Sequence, residues 1–260
     1  MISDAHLHLQ DFLDASGIPP KPESGMLWCA SAHEPAEFAA QEALSRAFPG
    51  QIRLSFGIHP QEPVSDHADF LASLVRDGRV DAVGECGFDL FDEGFKSTLA
   101  AQRDVWNMQL ELAVSSGLPL VVHCRKALNL VFADTRRLKR VRAVVFHGWP
   151  GSVGEARSFL ARGVNAYFSA GKGLLRGDRS LCETVAALCG EKGPDGRINR
   201  LLTETDSPWM TSRGERYSSP GDIRAVLRVA ASLASMAESQ LESAVECNFR
   251  TVFGDRPVSS

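Results

Sequence analysis

The chain has 260 residues, with 44% hydrophobic and 23% charged residues and a formal net charge of −4. This is close to the usual length of one eight-stranded α/β barrel and enough for a large buried core. The acidic balance excludes a global basic footprint for duplex nucleic acid, and no apolar run is long enough to span a membrane.

In chain order, a first apolar run predicts a strand over Ile2–Leu9. Gln10–Gly25 then carries Pro19, Pro20 and Pro22 with two glycines, which predicts a loop over the site in place of a full helix. Strands follow over Met26–Ser31 and Ile52–Ile58, with a helix over Asp66–Asp77 that stops at Gly78. Ala82–Gly87 is the fourth strand, and Thr98–Ser116 is a helix that stops at Gly117. Strands over Leu118–His123, Arg142–His147, Asn165–Ser169 and Leu201–Thr205 alternate with helices over Lys126–Leu138, Val153–Arg162 and Leu181–Leu188. Helices over Asp222–Ser235 and Glu238–Val252 fill the C-terminus. Eight strands alternating with helices predict an α/β fold closed as a (β/α)8 TIM-type barrel with an irregular first βα unit. No repeat or linker divides the chain, which is read as one domain over residues 1–260.

The six cysteines (Cys29, Cys86, Cys124, Cys182, Cys189 and Cys247) include no Cys-x-x-Cys pair. They predict reduced thiols in a cytoplasmic protein and argue against a thiolate zinc site. The N-terminus lacks the charged region and apolar core of a signal peptide. A monomer without a membrane partner is expected.

Metal-competent side chains gather at the predicted strand ends. His6 and His8 lie in Asp4-Ala5-His6-Leu7-His8, Glu85 in Val83-Gly84-Glu85-Cys86-Gly87, and His123, His147 and Asp206 each close an apolar run. Parallel barrels carry their chemistry at the C-terminal ends of the strands. In a strand, residues i and i+2 share a face, so Asp4, His6 and His8 are expected to point into the barrel together. Six ligands are too many for one tetrahedral ion and suit two divalent ions sharing a carboxylate, with Glu85 as the bridge. A nitrogen-rich set favours Zn, Mn, Fe, Co or Ni, with Mg a weaker fit. Asp4 and Glu204, two residues before His6 and Asp206, are expected to accept the outer N–H groups of ligand imidazoles.

The loops beyond the strands carry basic groups in an acidic chain. Gly57-Ile58-His59-Pro60 follows the third strand, Arg125 and Lys126 the fifth, a Gly/Lys/Arg-rich run around Lys172 the seventh, and Trp209, Arg213, Arg216 and Tyr217 the eighth. Glycines with Lys and Arg suit close approach to phosphate, and aromatics beside them suit stacking on an unpaired base. His59, Arg125, Lys172 and Arg213 are the candidate substrate contacts.

These motifs resemble the TatD family of metal-dependent deoxyribonucleases within the amidohydrolase-like superfamily. The matching elements are Asp-x-His-x-His at 4–8, Gly-Ile-His-Pro at 57–60, Val-Gly-Glu-Cys-Gly-Phe-Asp at 83–89, Gln102-Arg103, the run ending His123-Cys124-Arg125, Phe146-His147, Leu-Thr-Glu-Thr-Asp-Ser-Pro-Trp at 202–209, and Asn248-Phe249. The resemblance implies a barrel, two divalent metals held by His6, His8, Glu85, His123, His147 and Asp206, and hydrolysis, commonly of phosphodiester bonds in DNA. Three stretches depart from the pattern: Gln10–Gly25, Gly148–Ser152 after the strand-six histidine, and Ser218–Pro220 after strand eight. All three lie in or near the mouth, so they bear on substrate and not on the metal chemistry.

The sequence therefore predicts a phosphodiesterase acting on DNA ends or single-stranded DNA, or on another phosphate-containing substrate. Asp206 and Glu85 are its catalytic carboxylates, with Asp206 accepting a proton from the attacking water. The alternative is an amide, lactone or small-phosphoester hydrolase with the same centre. Many relatives in the superfamily bridge their metals with a modified lysine at strand four; Glu85 stands there instead and weighs against that subgroup. A metal-binding scaffold without turnover is the third reading.

Overall fold

The computed structural model describes residues 1–189 and 200–254. The single-domain reading also takes in residues 190–199 and 255–260, which lie outside the described residues. Eight strands form one sheet: β1 (Ile2–Leu7), β2 (Met26–Ala32), β3 (Ile52–Phe56), β4 (Ala82–Asp89), β5 (Leu120–Arg125), β6 (Val144–Phe146), β7 (Ala166–Ala170) and β8 (Leu201–Thr203). They pair in sequence order, and every pair is parallel. The last strand returns to the first through Asp206 N donating to His6 O (3.0 Å) and His8 N donating to Ser207 O (2.8 Å). The expected barrel is present.

Its helices are α1 (Leu9–Ser16), α2 (Pro35–Ala47), α3 (Ala68–Arg76), α4 (Glu93–Ser97), α5 (Leu99–Ser116), α6 (Leu128–Ala133), α7 (Thr135–Leu138), α8 (Val153–Ala161), α9 (Arg179–Cys189), α10 (Ile223–Leu233) and α11 (Glu238–Phe253). Several differ from expectation: α4 was not foreseen, and the one helix expected over Lys126–Leu138 is two, α6 and α7, parted at Asp134. The segment after β1 is not loop throughout. Two helical turns form before the first proline, bury Leu9 and Phe12, and stop at Gly17 in the left-handed conformation. The α2 helix was not foreseen, because only Phe38 and Gln41 are buried along it and the apolar period is weak. Its start was marked nonetheless by Pro35 in the first turn and by Glu37, which accepts from the backbone N–H groups of His33 and Glu34.

Two apolar layers hold the barrel. The larger lies between the sheet and the helices and includes Trp28, Phe56, Trp106, Phe146 and Phe168. A smaller cluster joins Leu27, Cys29, Val121, Val145, Tyr167 and Leu202 from the strands to Phe249, Val252 and Phe253 of α11. By the two-residue period, Val121, Val145 and Leu202 share strand faces with His123, His147 and Glu204. The polar floor of the site thus rests on an apolar layer. No helix among the described residues is long and apolar enough to cross a membrane.

Candidate metal centre

The six expected ligands converge on Glu85. Its position depends on the two glycines around it. Gly84 and Gly87 have positive φ (129° and 145°), and a Cβ on either would collide with the carbonyl oxygen of Val121 or His123. Glycine therefore lets β4 lie against β5 where Glu85 enters the barrel.

Each Glu85 oxygen is surrounded by three imidazoles. Oε1 lies 2.7 Å from His123 Nδ1, 2.7 Å from His147 Nε2 and 3.2 Å from His59 Nε2. Oε2 lies 3.1 Å from His6 Nε2, 3.6 Å from His8 Nε2 and 3.6 Å from His33 Nε2. Asp206 Oδ1 completes the second side, 3.5 Å from His8 Nε2 and 3.7 Å from His6 Nε2. Despite these neighbours, buried Glu85 Oε2 has no hydrogen-bond partner among the described residues.

This donor set fits divalent metal. His6 Nε2 faces His8 Nε2 at 3.1 Å, and His123 Nδ1 faces His147 Nε2 at 3.1 Å. Two nitrogens each about 2.1 Å from one ion stand roughly 3–3.4 Å apart. His6, His8 and Asp206 form one group able to hold an ion, and His6, Glu85 and His147 another.

The field of the pocket also favours positive charge. Burial lowers the affinity of His8, His123 and His147 for protons, yet all three are held above the usual histidine range. Asp206 and Glu85 outweigh burial at His8, Asp89 and Glu85 at His123, and Glu85 with Glu204 at His147. His6, His33 and His59 are held below it, chiefly by burial. Burial would raise Glu85 and Asp206, but the imidazoles around them hold both below the ordinary carboxylate range.

The outer ring nitrogens of His6 and His123 have hydrogen-bond partners. His6 Nδ1 meets Ser31 Oγ at 3.0 Å, and Ser31 Oγ meets Ser55 Oγ at 2.8 Å. His123 Nε2 meets Asp89 Oδ2 at 3.1 Å, and Gln61 Nε2 donates to the same oxygen at 2.8 Å. His147 Nδ1 faces Glu204 Oε1 at 3.7 Å, and that oxygen accepts from Gly148 N at 2.6 Å. Helix α5 anchors two of the loops. Gln102 bonds the backbone N–H and carbonyl of Asp89, and Gln109 does the same for Ile58, next to His59.

Glu204 stands beside His147 but at 3.7 Å does not accept a hydrogen bond from it. Asp4 lies elsewhere. Its carboxylate accepts from Thr205 N (3.0 Å) and Thr205 Oγ1 (2.6 Å), tying β1 to the segment before Asp206. A register shift in β1 between Asp4 and Leu7 breaks the two-residue alternation on which that expectation rested. Burial, against the Thr205 bonds, raises the Asp4 carboxyl to about 8.

The centre forms the floor of a cavity of about 980 Å³. Of the four expected substrate contacts, His59 sits within the centre and Arg125 lines the wall. Lys172 is fully buried and paired with Glu215 and Asp222 (2.7 Å to the latter), so it does not reach the mouth. Arg213 is exposed and is not part of the cavity lining. Arg176 and Trp209 line the mouth, with Trp209 63% exposed. Asp11, Glu34, Glu37 and Glu62 line it as well, so its charge is divided.

Sequence reasoning passed over His33 and Asp89. Both were within its reach. His33 continues the alternation Cys29, Ser31, His33, and Asp89 the alternation Glu85, Gly87, Asp89. The expected ends fall one residue short for β2 and two residues short for β4.

A family model described as TatD related DNase matches residues 3–254. The chain is 30% identical over 241 residues to a 3'-5' ssDNA/RNA exonuclease TatD from Cronobacter sakazakii, covering 88% of this chain and 86% of that protein. It is 30% identical over 208 residues to the protein of the same name from Klebsiella pneumoniae, covering 76% and 75%. Among solved structures, a TatD homologue from Escherichia coli K12 superposes with a TM-score of 0.75 at 24% identity over 97% of both chains. A TatD family hydrolase from Entamoeba histolytica gives 0.69 at 15% identity, covering 97% of this chain and 98% of that one. These two likenesses show the fold.

Proposed function

Because the chain belongs to the TatD-related DNase family, we propose that it hydrolyses phosphodiester bonds at the ends of single-stranded nucleic acid, with two divalent ions at the floor of its cavity. It is a hydrolase of ester bonds, as its exonuclease relatives are. The observation that carries the reading is Glu85, one buried carboxylate with three imidazoles around each oxygen. His6, His8, Glu85 and Asp206 would hold one ion, and Glu85, His123 and His147 the other. Such ions supply positive charge to phosphoryl oxygens and acidify a water toward a pKa of about 7.

The protein's own groups do the rest. Asp206 stays ionised and accepts the proton of the attacking water. His59 Nδ1 accepts from Gln61 N at 3.2 Å, which places its proton on Nε2 and makes it a donor toward a phosphoryl oxygen. Arg125 and Arg176 offer phosphate contacts at the mouth, and Trp209 offers a face for an unpaired base. The four carboxylates on the rim repel a polyanion, so the strand enters past the arginines.

The test is digestion of end-labelled single strands, matched duplexes and a panel of amides by metal-replete protein. A ladder from single strands that vanishes with chelator is expected. Amide turnover without nucleic-acid cleavage would overturn the substrate, and failure to bind any divalent ion would overturn the centre.

A further inference from the structure

We propose that His33 is a metal ligand, a third imidazole beside His6 and His8 on the Oε2 side of Glu85. The inference rests on the metal-centre reading and goes beyond its six ligands.

A neutral imidazole has one N–H and one lone pair, and the partner of the first decides where the second points. His33 Nδ1 lies 3.3 Å from the carbonyl oxygen of Gly57. A carbonyl only accepts, so this nitrogen carries the proton. The lone pair is then on Nε2, 3.6 Å from Glu85 Oε2. Ligand histidines are held in this way, with the outer N–H on a carbonyl or carboxylate and the inner nitrogen free. His33, His8 and Glu85 form a group whose donor atoms could share one ion.

His59 makes the contrast. Its ring lies 5.0 Å from that of His33, and its Nε2 is also close to Glu85. Its Nδ1 accepts from Gln61 N–H, so its inner nitrogen is protonated and cannot ligate. Two neighbouring imidazoles thus face one carboxylate with opposite polarity. The backbone that carries His33 is fixed as well, by its own N–H donating to Glu37 Oε2 at 2.8 Å.

The test uses full-length protein stripped of metal and titrated with Co²⁺, followed by calorimetry and visible absorption. His33→Asn keeps an amide N–H where Nδ1 donates to Gly57 and has no atom at Nε2. It should weaken one class of Co²⁺ site at least about tenfold, leave the other within twofold, and change the absorption. His33→Ala should do the same, with circular dichroism confirming the fold of both. Unchanged affinity and absorption in His33→Asn would overturn the proposal while leaving the six-ligand centre intact. So would an effect confined to His33→Ala, which would make the Gly57 tether the reason for the residue. Wild-type protein that binds no Co²⁺ would end both readings.

Discussion

The floor of the cavity and its mouth are built by different rules. On the floor, donor atoms come from strand ends, are mostly buried, and hold one another at 2.7–3.7 Å around Glu85. At the mouth, Arg176 and Trp209 stand on connections between elements and are exposed, Arg125 ends β5 and is partly exposed, and all three share the rim with four carboxylates. Strand geometry fixes where a side chain points. A loop fixes it only through whatever its residues find to bind. The floor should therefore answer to substitution with losses in chemistry and metal affinity, and the mouth with losses in strand binding alone.

The largest effect is expected at Asp206. Asp206→Asn keeps the shape but removes the charge and the proton acceptor. Turnover should fall at least ~100-fold with an unchanged circular dichroism spectrum. Near-normal turnover would move the proton acceptor elsewhere and break the comparison at its centre.

Asp89 comes next. It holds His123 from behind and is kept well below the usual carboxylate range: burial opposes this, and bonds from His123 and Gln61 outweigh it. Asp89→Ala should weaken binding at the site that uses His123 by about 10–100-fold in a Co²⁺ titration. The site that uses His6 and His8 should be unaffected. Equal weakening of both would mean that Asp89 supports the whole floor rather than one imidazole.

What the sequence made legible follows the same division. Strand period and strand ends gave the barrel and brought His6, His8, Glu85, His123, His147 and Asp206 to one point. Errors arose where the period was interrupted or ended too soon: Asp4 behind a register shift, and His33 and Asp89 beyond the drawn ends of β2 and β4. Substrate contacts fared worse because a basic loop residue reads the same whether it meets solvent, substrate or a buried acid. Lys172 met acids. No local pattern could show that Glu215 and Asp222, more than forty residues later in the chain, return to it.

Trp209 tests the mouth. Its indole N–H donates to Asp11 Oδ2 at 3.1 Å, which steadies the ring while most of it stays exposed. Stacking on a base is worth about 1–3 kcal/mol. Trp209→Ala should raise the Kd for a single-stranded oligonucleotide by roughly 5–150-fold at unchanged metal content, and Trp209→Phe should recover much of the loss. If the oligonucleotide binds Trp209→Ala as tightly as wild type, no base stacks there.

The smallest expected effect separates two basic residues that look alike in sequence. Arg125 lies on the cavity wall over the Phe91 ring (4.0 Å), with Nη1 3.3 Å from Asp89 Oδ2, and its side chain is 41% exposed. If it meets one phosphate of a single strand, Arg125→Ala should flatten the dependence of log affinity on log salt by about 0.7. The loss should be greatest in dilute salt, because the contact acts by releasing counterions. Lys172 should give the opposite result. Its removal leaves the salt slope alone and unpairs Glu215 and Asp222, which are 38% and 32% exposed. Water can reach both carboxylates, so the destabilisation should stay below the about 3–5 kcal/mol of a fully buried pair, read as a fall in Tm. A slope change in Lys172→Ala with no fall in Tm would free that lysine for the substrate. A slope change in neither variant would shift the entry path to Arg176, which also lines the cavity.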